Sequence, residues 1–351
     1  MVSDKRRASS GEDNQYEQAL PTHGVLSDFF DVTKNSASIF EASAIMKTEY
    51  ASYINTYPTI FLSFADAKES KRRIVKSIKE QLLNVYDEYA CVLEKLSMFE
   101  KPKFDLILRG LSDLEDENLE PVDHAISFLM KKCHQYYKKT RYVVYRRIGA
   151  ARPRRDTPFI EAHTQGFYKE VSGALSALLH TALKTSDDLQ FAMLTGIQRV
   201  AKENTPKAGR GLFSDLNNLL VCTVKDKEYA EYFGFTKNEV KDLLAYYDLK
   251  YTDEVRALYD GYNMGGVDIF NPWSIINYAE RKVLMPYWVN TSSNKMIKVA
   301  MKDCDASFKE GYEELIRIGT VRTLVNFETS FYELKETSSL WGLFAPQAGS
   351  A

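Results

Sequence analysis

The sequence predicts an α/β domain with a largely parallel sheet, followed by a small, mostly helical domain. Three observations carry that prediction. Short apolar runs of strand length alternate with longer segments of helical period through the first part of the chain, the pattern of βα repeats. After residue 224 those runs give way to short segments with clear helix start and stop signals. The length of 351 residues exceeds what one hydrophobic core usually serves, so two domains are expected.

Residues 1–24 are rich in Ser, Asp, Glu, Asn, Gln, Lys and Arg and show neither period two nor period 3.6, so disorder is expected there. Order is expected to begin near Val25. Thr59-Ile-Phe-Leu-Ser-Phe64 follows Pro58 as a nearly continuous apolar run, which suits a strand buried on both faces. From Lys71 to Leu96, Ile74, Val75, Ile78, Leu82, Tyr86, Tyr89 and Leu93 recur every three to four residues and predict one long amphipathic helix. A helix over 122–138 leads into the strand candidate Tyr142-Val-Val-Tyr145. A third helix over 167–183 precedes the strand candidate 189–195, which ends at Gly196, and 219–224 is a fourth.

In the helical domain, 225–303, Thr236 and Glu239 have capping-box spacing. Asn271-Pro272 sets an N-cap before a first-turn proline, and Gly261 and Gly265-Gly266 supply stops. Residues 304–351 read as a helix, a strand-like piece over 321–332 and an unstructured end.

Composition excludes several classes. Hydrophobic residues at 44% and charged residues at 27% are the balance of an ordinary globular protein. No apolar run approaches the roughly eighteen residues of a membrane span. The polar stretch 1–18 has no apolar core of a secretory signal, so a cytoplasmic, intracellular protein without a membrane partner is expected. Cys91, Cys133, Cys222 and Cys304 form no CxxC pair, which argues against a zinc knuckle or a disulfide scaffold. A net charge of −2 gives no global attraction to nucleic acid.

The motifs of common chemistries are absent. A P-loop needs glycines for close backbone approach to phosphate, then a lysine and a Ser or Thr for the terminal phosphates and Mg²⁺. The chain has no Gly-Lys dipeptide at all. Gly209-Arg-Gly211 lacks the third glycine of a dinucleotide loop. His23, His124, His134, His163 and His180 make no HExxH pair, and there is no Gly-x-Ser-x-Gly elbow. No catalytic or metal-ligating residue is assigned.

One charge cluster stands out, with Arg141, Arg146, Arg147, Arg152, Arg154 and Arg155 lying close together in sequence. Arginine forks match phosphate oxygens, so a phosphate or nucleic-acid contact is one reading and a solvated loop the other. Few aromatics accompany them, which leaves a base-stacking surface unsupported. The aromatic segments Tyr259-Asp-Gly-Tyr-Asn263, Phe270-Asn-Pro-Trp273 and Tyr287-Trp288 are read as the core of the small domain rather than as a ligand platform.

Ordered blocks of the chain carry a resemblance. Thr195-Gly-Ile-Gln-Arg-Val-Ala-Lys-Glu-Asn204, Phe213-Ser-Asp-Leu-Asn-Asn218, Tyr259-Asp-Gly-Tyr262, Asn271-Pro-Trp-Ser274 and Trp288-Val-Asn-Thr291 resemble, in order, the AAA-ATPase-like family, as do Tyr229 to Thr236, Phe29-Phe-Asp-Val-Thr33 and Tyr57 to Phe64. The resemblance runs from Val25 to Phe344. It implies a P-loop-NTPase-like parallel sheet with helices on both faces over 25–224, ATP and Mg²⁺ as cofactors of intact relatives, and commonly a PD-(D/E)XK nuclease-like domain beyond. Residues 304–351 would then be a connector toward that region.

Three departures from the family interrupt the match. The family has an apolar strand and a P-loop before the position of Phe29, and residues 17–28 contain neither. A family strand ends in Asp-Glu-Tyr-Asp-Thr-Pro, whereas Tyr145 here is followed by arginines up to Arg155, and only the last aspartate, Asp156, remains. Residues 205–212 look inserted. All three are abrupt and flanked by well-matched sequence, the pattern of an interrupted reading frame rather than of gradual divergence.

The resemblance makes Thr195 and Arg199 a vestigial sensor-like strand end and Asp156 the surviving aspartate of the magnesium motif, all three vestigial nucleotide-site residues. The expectation is therefore a degenerate member without a usable nucleotide site, binding no cofactor. A sheet that lacks its P-loop strand is expected to split around an empty slot or to close with the last strand shifted inward. The alternative is a protein or nucleic-acid interaction module that uses the helical domain and the 141–155 arginine cluster.

Overall fold

A computed structural model of the chain describes residues 22–63, 70–138, 141–146, 166–184, 186–194, 220, 222, 226–232, 234–287, 304–319, 321–325 and 336–344. It forms two compact units, one chiefly of residues 3–197 and 202–218 and the other chiefly of 219–351.

In the first unit, helix α1 (Thr22–Phe30) precedes strand β1 (Thr59–Ser63), and helices α2 (Lys71–Glu88), α3 (Lys101–Ser112) and α4 (Ala125–Tyr137) lead to strand β2 (Arg141–Arg146). Helix α5 (Tyr168–Leu183) then returns the chain to strand β3 (Leu189–Leu194). The three strands are parallel, in the order β1-β2-β3, with Thr59 opposite Tyr142 and Ser63 opposite Arg146. No slot separates the described strands. Of the predicted fourth strand only residues 220 and 222 are described, and neither lies in a strand.

Strand β1 buries Ile60 and Leu62, each 1% exposed, on one face, while Phe61 and Ser63 on the other are half-buried, so the burial on both faces that the apolar run predicts is met in part. Helix α2 starts where the Ser70 hydroxyl accepts the Arg73 amide, at 3.3 Å, and it buries Ile74, Val75, Ile78, Leu82 and Tyr86 along one stripe. The single helix expected over 71–96 is broken at Tyr89, and a short helix, Ala90–Leu93, follows. The break has a cause. The Tyr89 side chain is fully buried and its hydroxyl serves the start of β1, a demand that helical period alone does not reveal.

Helix α1 begins inside the stretch expected to be disordered, since residues 22–24 form its first turn, while residues 1–21 lie outside the described residues. Its C-terminal carbonyls have no partners within the helix, and a loop supplies them. The Asn55 amide donates to Phe29 O at 2.6 Å and the Tyr57 amide to Phe30 O at 2.9 Å. The Asn55 side-chain Nδ2 donates to Asp28 O at 3.0 Å and Asp31 O at 2.9 Å. Asn55 does this from the left-handed region, φ 51°, where asparagine is better tolerated than most residues.

The second unit was expected to be mostly helical, and the structure adds a small antiparallel sheet. Strands β4 (Phe235–Thr236), β5 (Asp260–Met264) and β6 (Val267–Phe270) are ordered β4-β6-β5. The glycine pair read as a helix stop is instead a two-residue hairpin turn. Gly265 and Gly266 have φ 56° and 86°, and Met264 pairs with Val267 across them.

Helix α6 (Lys237–Tyr246) opens on the capping box of Thr236 and Glu239, and helix α8 (Pro272–Arg281) on Asn271, as their spacings predict; α7 (Asp253–Tyr259) lies between them. Phe235, Val240, Leu244, Tyr259, Phe270 and Ile275 form the core of this part, which bears out the structural reading of Tyr259 and Phe270. Helix α9 (Ala306–Ile318) is capped by Asp305 and ends at Gly319, φ 85°. The described part of the expected strand, 321–325, is irregular, and part of the end expected to be unstructured forms helix α10 (Thr337–Phe344). Leu340 and Trp341 pack on Phe308, which gives that helix a reason to form.

Candidate functional site

Open parallel sheets bind ligands beyond the carboxyl ends of their strands, so the first place to look is the edge formed by Ser63, Arg146 and Leu194. The register brings these ends level, since Ser63 lies opposite Arg146 and Tyr145 opposite Leu194. On the β1 side the Ser63 amide donates to Gln81 Oε1 of α2 at 2.7 Å, and Gln81 Nε2 donates to Ser77 O at 3.2 Å. A side chain from the covering helix thereby satisfies an edge-strand amide.

Of the arginine cluster the structure places Arg141 and Arg146, the first and last residues of β2 and so at opposite ends of that strand. Thr195, which follows Leu194 directly in the chain, lies outside the described residues. So do Arg199, Asp156, Arg147, Arg152, Arg154 and Arg155. Among the described residues no three His, Cys, Asp or Glu side chains are grouped to hold a metal ion. No described helix is long and apolar enough to cross a membrane.

Sequence reasoning missed the buried polar groups at the other end of β1. Asp31 is 1% exposed, and its Oδ1 accepts from the Thr33 amide at 3.0 Å, the Thr33 hydroxyl at 3.0 Å and the Tyr89 hydroxyl at 2.9 Å. The same Tyr89 oxygen accepts the Thr59 amide at 2.7 Å. Asp31 Oδ2 is buried without a hydrogen-bond partner. Burial pushes the Asp31 carboxyl above the usual aspartate range, against the Thr33 and Tyr89 hydrogen bonds and the charge of Lys34. Burial likewise pushes the Tyr89 hydroxyl up, with the charge of Asp31 adding to it. These groups bond to backbone and to one another at the amino end of β1, so they hold α1 against the sheet rather than face a ligand.

A buried cation, Lys79, is also structural. Lys79 on α2 is fully buried, and its Nζ donates to Asp113 O and Asp116 O, each at 2.8 Å, just beyond the end of α3. An ammonium there meets carbonyls that the helix leaves unbonded. In sequence Lys79 looks like one more polar residue of an amphipathic helix. Its position beside the apolar Ile78 and Leu82 was the available signal.

Comparison with known proteins bears on the same region. A protein-family model described as a predicted AAA-ATPase, AAA-ATPase_like, matches residues 22–205, a span that includes all three parallel strands. An uncharacterized protein in the vnfD 5′ region of Azotobacter chroococcum mcd 1 is 29% identical over 200 residues, which cover 53% of this chain and 37% of that protein. The chain thus spans well under half the length of this curated relative. No solved structure matches the chain.

Proposed function

The chain belongs to the predicted AAA-ATPase family, and from that premise we propose that residues 25–224 are a P-loop-NTPase-type core that neither binds nor hydrolyses ATP with Mg²⁺. The observation that carries this reading is the end of β2. It closes on Arg146, level with Ser63, and Arg147 is next in the chain. In nucleotide-hydrolysing relatives the corresponding strand end offers carboxylates to Mg²⁺. Guanidinium groups are always charged and never ligate a cation, so an arginine at that strand end opposes metal binding.

Helix α1 supports the same reading. It precedes β1 in the chain, and its opening residues, Thr22, His23, Gly24 and Val25, include no lysine that would reach the terminal phosphates. Residues 225–303 serve as a small accessory domain.

Thermal unfolding with and without ATP and Mg²⁺ tests the proposal. A ligand at a hundred times its Kd stabilises the folded state by roughly 2.7 kcal/mol and raises Tm by several degrees. No shift is expected at millimolar nucleotide. A shift that depends on both ATP and Mg²⁺ would overturn the reading.

A further inference from the structure

Helix α3 turns Ile107 and Leu111 into the core, at 3% and 0% exposure, yet leaves Leu106 63% exposed. The turn before it exposes Met98 and Phe99 further, at 75% and 85%. The Lys101 amide donates to Ser97 O at 3.1 Å and the Phe104 amide to Glu100 O at 3.0 Å, so the helical path reaches back through residues 97–100. Phe99, Pro102 and Leu106 therefore stand at i, i+3 and i+7, one outward stripe, with Met98 beside it.

Charge frames the stripe. Lys103 and Arg109, three residues to either side of Leu106, are exposed and flank it. Glu100, the nearest acid in the turn, is engaged by Lys132, whose hydrogen bond holds its carboxyl at about 2. Asp105 is the remaining acidic residue on the exposed side of the helix. An apolar stripe edged by cations, on a chain of net charge −2, is a local feature rather than a reflection of overall composition.

We propose that this stripe docks an acidic amphipathic helix of a partner protein, whose apolar side chains cover Phe99, Pro102 and Leu106 while its carboxylates meet Lys103 and Arg109. A second copy of this chain is the poorer occupant, because like stripes facing each other would bring Lys103 and Arg109 against their own kind. A lipid surface is also poorer. Only two cations flank the stripe to meet anionic headgroups, and Asp105 opposes them. Side chains this few expose a few hundred Å², short of the roughly 800 Å² per partner of a standard stable interface, so the contact is a transient one.

The test uses the full chain and a fluorescein-labelled synthetic helix of Leu, Ala and Glu with its leucines on one face, read by fluorescence anisotropy. Micromolar binding is expected. It should weaken about tenfold in F99S or L106S, a loss of about 1.4 kcal/mol. It should also weaken in the double variant Lys103→Glu, Arg109→Glu and with added salt, while the same helix with Lys for Glu should not bind. Unchanged circular dichroism and urea midpoints show that the variants fold, and the charge-reversal variant, which leaves the apolar contacts intact, gives an independent readout. The proposal is overturned if the acidic helix does not bind, if the variants bind it equally, or if the basic helix binds as well. It is also overturned if the variants lose cosedimentation with phosphatidylserine vesicles but not peptide binding.

Discussion

Replacing Tyr89 with Phe removes one oxygen atom from the interior and leaves the ring in place. That oxygen accepts the Thr59 amide at 2.7 Å and donates to Asp31 Oδ1 at 2.9 Å. All three residues are at most 1% exposed. A buried amide left without a partner costs about 1–3 kcal/mol, and a hydrogen bond to a charged group contributes about 1.5–3 kcal/mol where the carboxylate is ionised. Asp31 Oδ1 keeps both Thr33 donors, which softens the second loss. The net expectation is about 2–4 kcal/mol, a large part of a typical margin of about 5–15 kcal/mol. Equilibrium urea unfolding measures it. With m near 2 kcal/mol/M, the midpoint should fall by about 1–2 M while m stays constant. A fall of less than about 0.5 kcal/mol would mean that the Thr59 amide is satisfied some other way and would refute the role assigned to Tyr89.

Asn55→Ala should cost about 2–4 kcal/mol by urea unfolding, since it strips the side-chain donors from Asp28 O and Asp31 O and leaves alanine at φ 51°; a loss under 1 kcal/mol would count against the clasp on α1. Asp31 has its folded pKa raised above its ordinary 3.8, so ionising it works against folding. Its contribution is most favourable below about pH 4 and is lost as pH rises through the raised folded value. Asp31→Asn should therefore narrow its stability deficit, or gain on the native chain, between acid and neutral pH, and parallel pH profiles would contradict this. Gly234→Ala would place a Cβ 2.3 Å from Ile269 Cγ2 and 2.8 Å from Phe270 O. Calorimetry should show a loss of about 1–3 kcal/mol in the second unit.

The parallel strands were legible because each is an apolar run bounded by breakers, and β1, β2 and β3 fall within a residue or two of where the runs place them. Caps were legible for the same local reason, as at Thr236 and Asn271. Helix α3 was not anticipated, although Pro102 at its start is a first-turn signal, because Leu106 and Leu108, exposed on different sides of it, blur the polar and apolar faces. The second sheet was missed because Gly265-Gly266 can end a helix or make a hairpin, and only the pairing of Met264 with Val267 decides between them. The Asp31, Tyr89 and Thr59 network joins residues far apart in sequence, and no local pattern encodes such a contact. At the candidate edge the sequence alone named Arg146, and the register then set it beside Ser63.

Isothermal titration of the purified chain with ATP in the presence of Mg²⁺ addresses the central claim directly. Arg146 at the end of β2 and the lack of a Gly-Lys dipeptide together predict no saturable heat at millimolar nucleotide. A stoichiometric isotherm with a dissociation constant in the low micromolar range would contradict the account.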